Sequence, residues 1–211
     1  MNLNKGRCIV VEGLEGAGKS SAINAIKQFI ENLQLKVVLT REPGGTRVGE
    51  TIRHLIKEKT IAEPLDARAE LLLLYASRVQ LLEHVIKPSL NSGSWVVADR
   101  FELSTWAYQG GGRKLDKEVI AHLSAFCLKD FKPDLIIFLD ITPEQGLQRA
   151  LGRGKFDRIE QESIEFFNDV YNAYQEQIKT MKSVVVIDAS LPLAVVRKSI
   201  MTALKNYMQT L

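Results

Sequence analysis

The sequence contains little cysteine, little excess charge and no long apolar run. Its two cysteines are too few for the disulfide framework of a small secreted domain, so we expect both thiols to be reduced. No apolar run approaches the length of a membrane span, and residues 1–5 lack the apolar stretch of a signal peptide. These absences predict a cytoplasmic protein that does not act at a membrane.

The charge and histidine content exclude further classes of protein. A net charge of only +3 argues against a dedicated nucleic-acid-binding protein. The three histidines, His54, His84 and His122, do not have the spacing of metal ligands. With 211 residues, of which 45% are hydrophobic, the chain is long enough for one α/β domain with a sizeable core, and we expect that domain to span 1–211.

The most informative stretch is a glycine-rich run that matches the P-loop pattern G-x-x-x-x-G-K-[ST]. It consists of Gly13, Leu14, Glu15, Gly16, Ala17, Gly18, Lys19 and Ser20. An apolar run precedes it and a helical pattern follows, which is the strand–loop–helix context that the motif requires. In such a loop the backbone N–H groups bind phosphates, the lysine reaches the β- and γ-phosphates, and the serine hydroxyl binds Mg²⁺. We therefore predict a nucleotide–Mg²⁺ site here.

Short apolar runs alternate with helical patterns along the chain. We predict strands at 8–11, 37–40, 95–98, 135–139 and 184–187, and helices at about 19–33, 49–58, 66–87, 116–128, 143–151, 163–180 and 192–209. Continuously apolar strands are typical of parallel strands that are covered on both faces. The pattern predicts an α/β fold, a P-loop NTPase-type doubly wound sheet of about five parallel strands flanked by helices.

Polar residues follow every predicted strand. They are Glu12, the pair Arg41 and Glu42, the pair Asp99 and Arg100, Asp140, and Asp188. Because ligands bind at the carboxyl ends of the strands in such sheets, we expect these residues to face a common cleft. Asp99 and Asp140 both qualify as an Mg²⁺ ligand beside the P-loop. We favour Asp99, since Arg100 next to it would complement a substrate phosphate. Asp140 is followed by Thr142 as a helix N-cap and Pro143 as the first helical residue, so we interpret it as mainly structural.

Arg78 lies on the apolar face of the helix predicted at 66–87. A guanidinium that faces a core is costly unless acceptors meet it. One interpretation is a buried ion pair with a carboxylate such as Glu12 or Asp99. The other is an arginine that binds an oxygen or ring nitrogen of a ligand, and the sequence alone leaves both open.

Three further segments have chemistry that suits substrate binding. Residues 41–46, which contain Pro43 and two glycines, form either a plain connector or a loop that closes over a substrate. Residues 104–113 carry hydroxyls, an amide and aromatic rings that suit base binding, and they also suit a short helix that ends at glycines. A basic segment at about 149–160 is a solvated loop or, as its position after the fourth strand favours, a lid that closes over the phosphates and excludes water.

Together these motifs resemble thymidylate kinases of the bacterial type over nearly the whole chain. The most selective segments are 12–20, 40–46, 76–78, 99–100, 107–113 and 157–160. The resemblance implies transfer of the ATP γ-phosphate to dTMP, which gives dTDP and ADP for dTTP synthesis, with Mg²⁺ as cofactor. It also implies a homodimer.

The resemblance further implies roles for individual residues. Arg53 and Arg100 would bind the acceptor phosphate, with Glu12 near this phosphate and the sugar. Arg78 and Gln109 would bind the polar edge of thymine. The full set predicted to bind dTMP is Glu12, Glu42, Pro43, Arg53, Leu74, Arg78, Arg100, Thr105, Tyr108 and Gln109.

The catalytic set implied by the resemblance combines the P-loop with the lid. It consists of Lys19, Arg153, Glu12 and Arg100, while residues 13–20 bind ATP and Ser20 and Asp99 bind the metal. In the bacterial type the catalytic arginine comes from the lid. Of the lid arginines, Arg149, Arg153 and Arg158, we favour Arg153 because glycines flank it.

Two residues depart from the family pattern. The family usually has a phenylalanine that stacks on thymine where this chain has Leu74, and Trp106 replaces a residue that is often small or polar. These departures keep open a kinase for another nucleotide or nucleoside. A P-loop protein that binds nucleotide and signals to a partner is the alternative outside the enzymes.

Overall fold

The computed structural model describes residues 5–58, 63–151 and 157–211. Five parallel strands form one sheet in the order β2-β3-β1-β4-β5, and helices flank it. The strands are β1 (Cys8–Glu12), β2 (Val37–Arg41), β3 (Trp95–Asp99), β4 (Leu135–Asp140) and β5 (Val184–Asp188). The predicted fold class is therefore confirmed, and each strand extends one residue beyond its predicted end.

The helices lie close to their predicted positions. They are α1 (Lys19–Asn32), α2 (Arg47–Lys57), α3 (Ala67–Leu81), α4 (Lys87–Asn91), α5 (Glu102–Thr105), α6 (Lys117–Leu128), α7 (Pro143–Leu151), α8 (Ile164–Ile178) and α9 (Leu193–Gln209). Two π-helical segments, Leu82–Ile86 and Trp106–Gly112, continue α3 and α5. Among the residues described, no helix combines the length and apolar character needed to cross a membrane.

The helix predicted at 66–87 is divided into α3, a π-helical segment and α4. Pro88 lies at the start of α4 and lacks the N–H group that would bond to the carbonyl four residues earlier. The ladder of hydrogen bonds therefore changes spacing just before this proline, which the hydrophobic periodicity did not indicate.

Capping side chains fix where several helices begin. The side chains of Thr46, Asp66, Asp116 and Ser163 each accept a hydrogen bond from a backbone N–H in the first turn of the following helix. Such caps satisfy donors that the helix itself leaves unpaired. Pro143 is the first residue of α7, as the sequence predicted.

Burial differs between the central strands and the edge strands. The strands β3, β1 and β4 are buried almost throughout, whereas β2 and β5 contain exposed residues such as Leu39 and Val186. The expectation that every strand is covered on both faces was wrong for the two edges, because the helices that cover the centre leave the edge strands partly open. Trp95 on β3 is fully buried and packs edge-on against Tyr207 of α9.

The strand order decides which strand ends meet. β2 and β3 lie on one side of β1, while β4 and β5 lie on the other. Asp140 and Asp188 are paired in register on that second side, where Asp140 accepts a hydrogen bond from Gln175 and Asp188 accepts from Ser190. The cleft beside the P-loop is lined by none of Asp140, Asp188, Arg41 and Glu12, so the expectation that all five strand ends share one cleft was wrong for these residues.

Candidate active site

A cleft lies beside the P-loop, at the carboxyl ends of β2 and β3. It is lined by Glu15, Lys19, Glu42, Pro43, Arg53, Ile56, Lys57, Leu74, Arg78, Asp99, Arg100, Ser104, Thr105, Tyr108, Gln109, Asp157 and Ile159. The structure thus brings together every residue of the predicted dTMP-binding set except Glu12. Their convergence from five separate segments of chain makes this cleft the candidate acceptor site.

A second depression lies directly on the P-loop. It is lined by Glu15, Gly16, Gly18, Lys19, Ser20, Ser21, Asp99 and Arg149. Lys19 is buried, and its Nζ donates to the carbonyl oxygens of Gly13 and Leu14 at 3.1 and 2.9 Å. Burial and the nearby charge of Arg100 both lower the pKa of Lys19. The lysine is therefore held inside the loop that is predicted to bind phosphates.

The P-loop packs backbone to backbone against α7. Gly16 has a φ of 78°, and a Cβ atom placed there would lie 2.0 Å from the carbonyl oxygen of Gly146 in α7. A Cβ atom on Gly146 would in turn lie 2.6 Å from the carbonyl oxygen of Glu15. Only glycine fits at both positions, so this contact fixes the loop against the helix that leads into the segment predicted to be the lid.

Arg100 is held in a strained backbone conformation by its side chain. Its φ of 69° is unfavourable for a residue with a Cβ atom. The side chain is partly buried, and its two Nη atoms donate to Glu15, Ser104, Tyr108 and Tyr174 at 2.6 to 3.2 Å. These contacts aim Arg100 at the cleft, where the predicted role is to bind the acceptor phosphate.

Glu12, predicted to be catalytic and to bind dTMP, lies behind Arg100 and does not line the acceptor cleft. Its carboxylate accepts hydrogen bonds from the N–H groups of Phe101 and Ser104, from the Ser104 hydroxyl and from the Tyr174 hydroxyl. Burial raises the pKa of Glu12, while Arg100 and these donors act against that shift. Since its oxygens already have four donors, the structure makes Glu12 a support for Ser104 and Tyr174, which hold Arg100.

Arg78 forms a buried ion pair, which was one of the two interpretations that the sequence left open, and its binding of a ligand stays a prediction. It is fully buried, its Nε donates to Glu42 Oε1 at 2.7 Å, its Nη2 donates to Thr105 Oγ1 at 2.6 Å, and its Nη1 donates to Glu102. It also lines the cleft. The expected partners, Glu12 and Asp99, were wrong, because the choice of partner depends on how α3 packs against the β2 loop and α5.

The two departures from the family pattern have different consequences. Leu74 lines the cleft, so an aliphatic side chain occupies the position of the usual ring. Tyr75 does not replace that ring, because its hydroxyl group is bonded to Glu102 at 2.9 Å and to the carbonyl oxygen of Ile120. Trp106 packs against the cluster of Tyr75 and Ile120 and does not line the cleft. Of these two residues, only Leu74 therefore changes the shape of the cleft directly.

Ser20 and Asp99 fit the magnesium site predicted for them. Both line the depression on the P-loop, and Asp99 Oδ1 is buried without a hydrogen-bond donor from the described residues. A carboxylate oxygen and a hydroxyl are the ligand types that Mg²⁺ prefers. Within 5–58, 63–151 and 157–211 no group of three or more His, Cys, Asp or Glu side chains is placed to hold a metal, so phosphates and water would have to complete this site.

Arg149, at the end of α7, contacts the loop after β5. Its Nη atoms donate to the carbonyl oxygens of Ala189 and Ser190 at 2.6 and 2.9 Å. It also lines the depression on the P-loop. Arg149 is thus placed beside the loop that is predicted to bind the phosphates of the donor nucleotide.

Arg158 is held away from the P-loop by other contacts. Its Nε donates to the carbonyl oxygen of Ile56 at 2.8 Å, and its Nη2 donates to the buried Glu70. This guanidinium joins the ends of α2 and α3, and it is not part of the cleft lining. Arg153, the favoured catalytic arginine, lies outside the described residues.

The sequence comparisons agree with this geometry. A family model described as thymidylate kinase matches residues 11–200. The chain belongs to the thymidylate kinase family. A protein of Legionella pneumophila strain Corby that is described as thymidylate kinase is 55% identical over 204 residues, which cover 97% of this chain and 96% of that protein. A second protein described as thymidylate kinase, from Legionella pneumophila strain Paris, is 54% identical over 204 residues, which again cover 97% of this chain and 96% of that protein.

The candidate site includes residues that sequence reasoning missed. Ile56, Lys57, Asp157 and Ile159 line the cleft but were not predicted to do so, and Ser104 lines it as part of the segment 104–113 that was predicted to suit base binding. Asp157 and Ile159 belong to a segment that carried the resemblance, so a signal for them was present. The sequence carried no signal for Lys57, because only the fold brings the end of α2 close enough for Lys57 to form an ion pair with Asp157.

Proposed function

We propose that this chain is an ATP-dependent kinase that transfers the γ-phosphoryl group to dTMP, giving dTDP and ADP. The observation that supports this most directly is that the acceptor cleft and the P-loop depression are adjacent. Both are lined by Glu15, Lys19 and Asp99. Direct transfer between two bound nucleotides requires that their sites meet where the phosphates lie.

One end of the acceptor cleft is cationic, and the other end suits the pyrimidine ring of the nucleotide. Lys19, Arg53 and Arg100 provide positive charge near the P-loop, where the phosphate of dTMP would bind. The base end is lined by the apolar Leu74 together with Arg78, Thr105 and Gln109, whose polar atoms suit the edge of a pyrimidine. We propose this orientation of dTMP because the transferring group must reach the phosphate end.

The donor site continues beyond the P-loop. A groove between α1 and α9 is lined by Gly18, Ser21, Gln28, Arg149, Leu191 and Arg197, among others, and so adjoins the P-loop depression. We propose that this groove receives the adenine and ribose of ATP. Mg²⁺, held by Ser20 and Asp99, would neutralise charge on the donor phosphates.

The chemistry requires alignment and charge neutralisation and no covalent intermediate. Two polyanions must approach each other, and Lys19 with Arg100 lowers their repulsion inside the cleft. We propose that the lid at about 149–160 supplies the catalytic arginine, Arg153, and excludes water so that the phosphoryl group reaches dTMP.

The decisive experiment measures ADP release with and without dTMP. A dTMP kinase releases ADP rapidly only when dTMP is present, whereas a P-loop regulatory protein hydrolyses ATP slowly whether or not dTMP is added. Parallel assays with dUMP and thymidine test the acceptor. Thymidine lacks the phosphate that Arg53 and Arg100 would bind, so its use at the same rate as dTMP would contradict the proposal.

We also propose that the enzyme is a homodimer that acts in the cytoplasm. Three large apolar side chains are exposed on α3 and α6, namely Leu72, Val119 and Phe126, and Phe126 is 79% exposed. The two helices pack against each other, so a second copy could cover both at once. Light scattering after gel filtration should give a dimer mass for the wild type and a smaller mass for Phe126→Glu.

A further inference from the structure

Three nitrogen-bearing side chains converge on one buried carboxylate outside the cleft. Glu70, in the first turn of α3, is 1% exposed and accepts a hydrogen bond from Gln109 Nε2 at 2.7 Å. Arg158 donates to its other oxygen, and Arg113 Nε lies 3.4 Å from Oε1. Glu70 thus joins a residue of the base pocket to two arginines that do not line that pocket.

We infer that Glu70 is a positioning residue that fixes which end of the Gln109 amide faces the cleft, and thereby sets the preference for the base. This inference rests on the proposed function, because it takes the base of the acceptor nucleotide to lie at Gln109. Glu70 itself does not line the cleft, so it acts through Gln109.

The orientation of the amide follows from hydrogen-bond chemistry. An ionised carboxylate only accepts hydrogen bonds, so the NH₂ group of Gln109 must face Glu70. The amide oxygen then lies on the opposite side, and no described residue donates a hydrogen bond to it. Gln109 lines the cleft, so its oxygen is available there as an acceptor.

An acceptor at this position separates the pyrimidines. Thymine and uracil carry a hydrogen on N3 and can donate to the Gln109 oxygen, whereas N3 of cytosine is itself an acceptor. Two acceptors that face each other leave both groups unpaired, and sites built on such hydrogen bonds reject the wrong partner strongly. Arg78 adds a donor that suits an exocyclic oxygen, because its Nη1 keeps one N–H group without an acceptor among the described residues.

Arg113 and Arg158 keep the Glu70 carboxylate ionised, which is the form that orients the Gln109 amide. Burial alone would raise the pKa of Glu70, but the hydrogen bond from Arg158 and the charge of Arg113 lower it below the ordinary value. A neutral carboxyl would carry an O–H donor and would let the Gln109 amide turn. Arg113 is itself anchored, since it donates to Glu162 at 2.6 Å and lies over the ring of Phe166.

The test compares dTMP and dCMP as acceptors in the wild type and in Glu70→Gln. A glutamine at this position can both donate and accept, so the Gln109 amide is free to turn. We expect the ratio of kcat/KM for dTMP to that for dCMP to fall at least about tenfold, with KM for ATP unchanged. Glu176→Gln, which neutralises an exposed carboxylate paired with Lys117, is the matched control and should keep the wild-type ratio.

A double-mutant cycle separates positioning from a general loss of structure. Gln109→Met removes the amide, so adding Glu70→Gln to that variant should change the ratio no further. An additional fall would mean that Glu70 acts by another route and would overturn the inference, as would an unchanged ratio in folded Glu70→Gln.

If Glu70→Gln melts below the assay temperature, Glu70→Asp replaces it. Its shorter side chain breaks the contact with Gln109 but keeps the charge, so the ratio should again fall, and an unchanged ratio overturns the inference.

The wild type distinguishes this inference from the proposed function. If the wild type does not phosphorylate dTMP, the proposed function fails. If it phosphorylates dTMP and dCMP equally well, the kinase stands but the acceptor at Gln109 does not set the preference, and the inference alone fails.

Discussion

Arg100 donates to Glu15 Oε1 over 2.6 Å, while the Nζ atom of Lys19 lies 3.6 Å from the other oxygen of the same carboxylate. One P-loop carboxylate therefore holds both the lysine predicted to bind the donor and the arginine predicted to bind the acceptor phosphate. A phosphate that enters between the two cations must compete with Glu15. The carboxylate thus keeps the two cations close in the absence of nucleotide, when their charges would otherwise repel.

The first prediction concerns the dependence of stability on pH. Burial would raise the pKa of Glu15, but Lys19 and Arg100 lower it below its ordinary value of 4.5. A lowered pKa in the folded state means that the ionised carboxylate stabilises the fold at pH values above 4.5, and that this stability is lost as the pH falls toward the lowered value. The free energy of unfolding of Glu15→Gln should therefore fall less steeply below that pH than in the wild type.

Urea denaturation at a series of pH values measures this difference. Glu31→Gln, which removes the partner of an exposed lysine on α1, serves as control and should retain the wild-type slope. Equal slopes for Glu15→Gln and the wild type would show that Glu15 does not stabilise the fold through Lys19 and Arg100.

The second prediction concerns the P-loop lysine. Lys19→Ala should lower kcat by a factor of about 10² or more, because a preorganised charge at the transferring phosphates is lost while the backbone of the loop stays in place. Lys27→Ala, on the exposed side of the same helix, should leave turnover unchanged. Steady-state assays with dTMP check both variants, and circular dichroism checks that they fold. Wild-type turnover in Lys19→Ala would remove the lysine from the mechanism.

The sequence was sufficient where a local pattern decides the structure. The five strands, the P-loop context and the convergence of Arg53, Arg100 and Gln109 on one cleft follow from periodicity, motif spacing and family resemblance. The direction in which Trp106 points could not be predicted from the sequence, because it depends on the π-helical segment that begins at this residue. The contacts of Glu70 were missed for a similar reason, since its partners come from segments up to 88 residues away along the chain.

The third prediction concerns the buried ion-pair network. Arg78→Ala would leave Glu42 and Glu102 without their cation, and breaking a buried pair in this way costs about 3–5 kcal/mol. We expect the free energy of unfolding to fall by roughly this amount and dTMP affinity to fall as well. Gln109→Ala should weaken dTMP binding without a comparable loss of stability, because it leaves no uncompensated charge.

Two further variants test the cause of that loss. Arg78→Ala combined with Glu42→Gln should recover part of the stability, since one of the two stranded charges is then removed. Arg68→Ala, which breaks an exposed pair with Asp66, should have little effect. If Arg78→Ala unfolds at the same urea concentration as the wild type, the network does not stabilise the fold.

The last prediction concerns the catalytic arginine. Arg158 is bonded to Glu70 and to the carbonyl oxygen of Ile56, and Arg149 is bonded to the loop after β5, so both guanidinium groups already have partners. Arg153→Ala should therefore lower kcat by a factor of about 10³–10⁵, the effect of an arginine that stabilises charge on a transferring phosphoryl group, and should change dTMP affinity far less. Arg158→Ala should lose much less turnover, and Arg149→Ala should mainly raise KM for ATP.

Single-turnover kinetics combined with calorimetric titration of dTMP separates these effects. A loss of dTMP affinity alone in Arg153→Ala would make it a binding residue, and a larger loss of kcat in Arg158→Ala would mean that this arginine leaves Glu70 when the substrates bind.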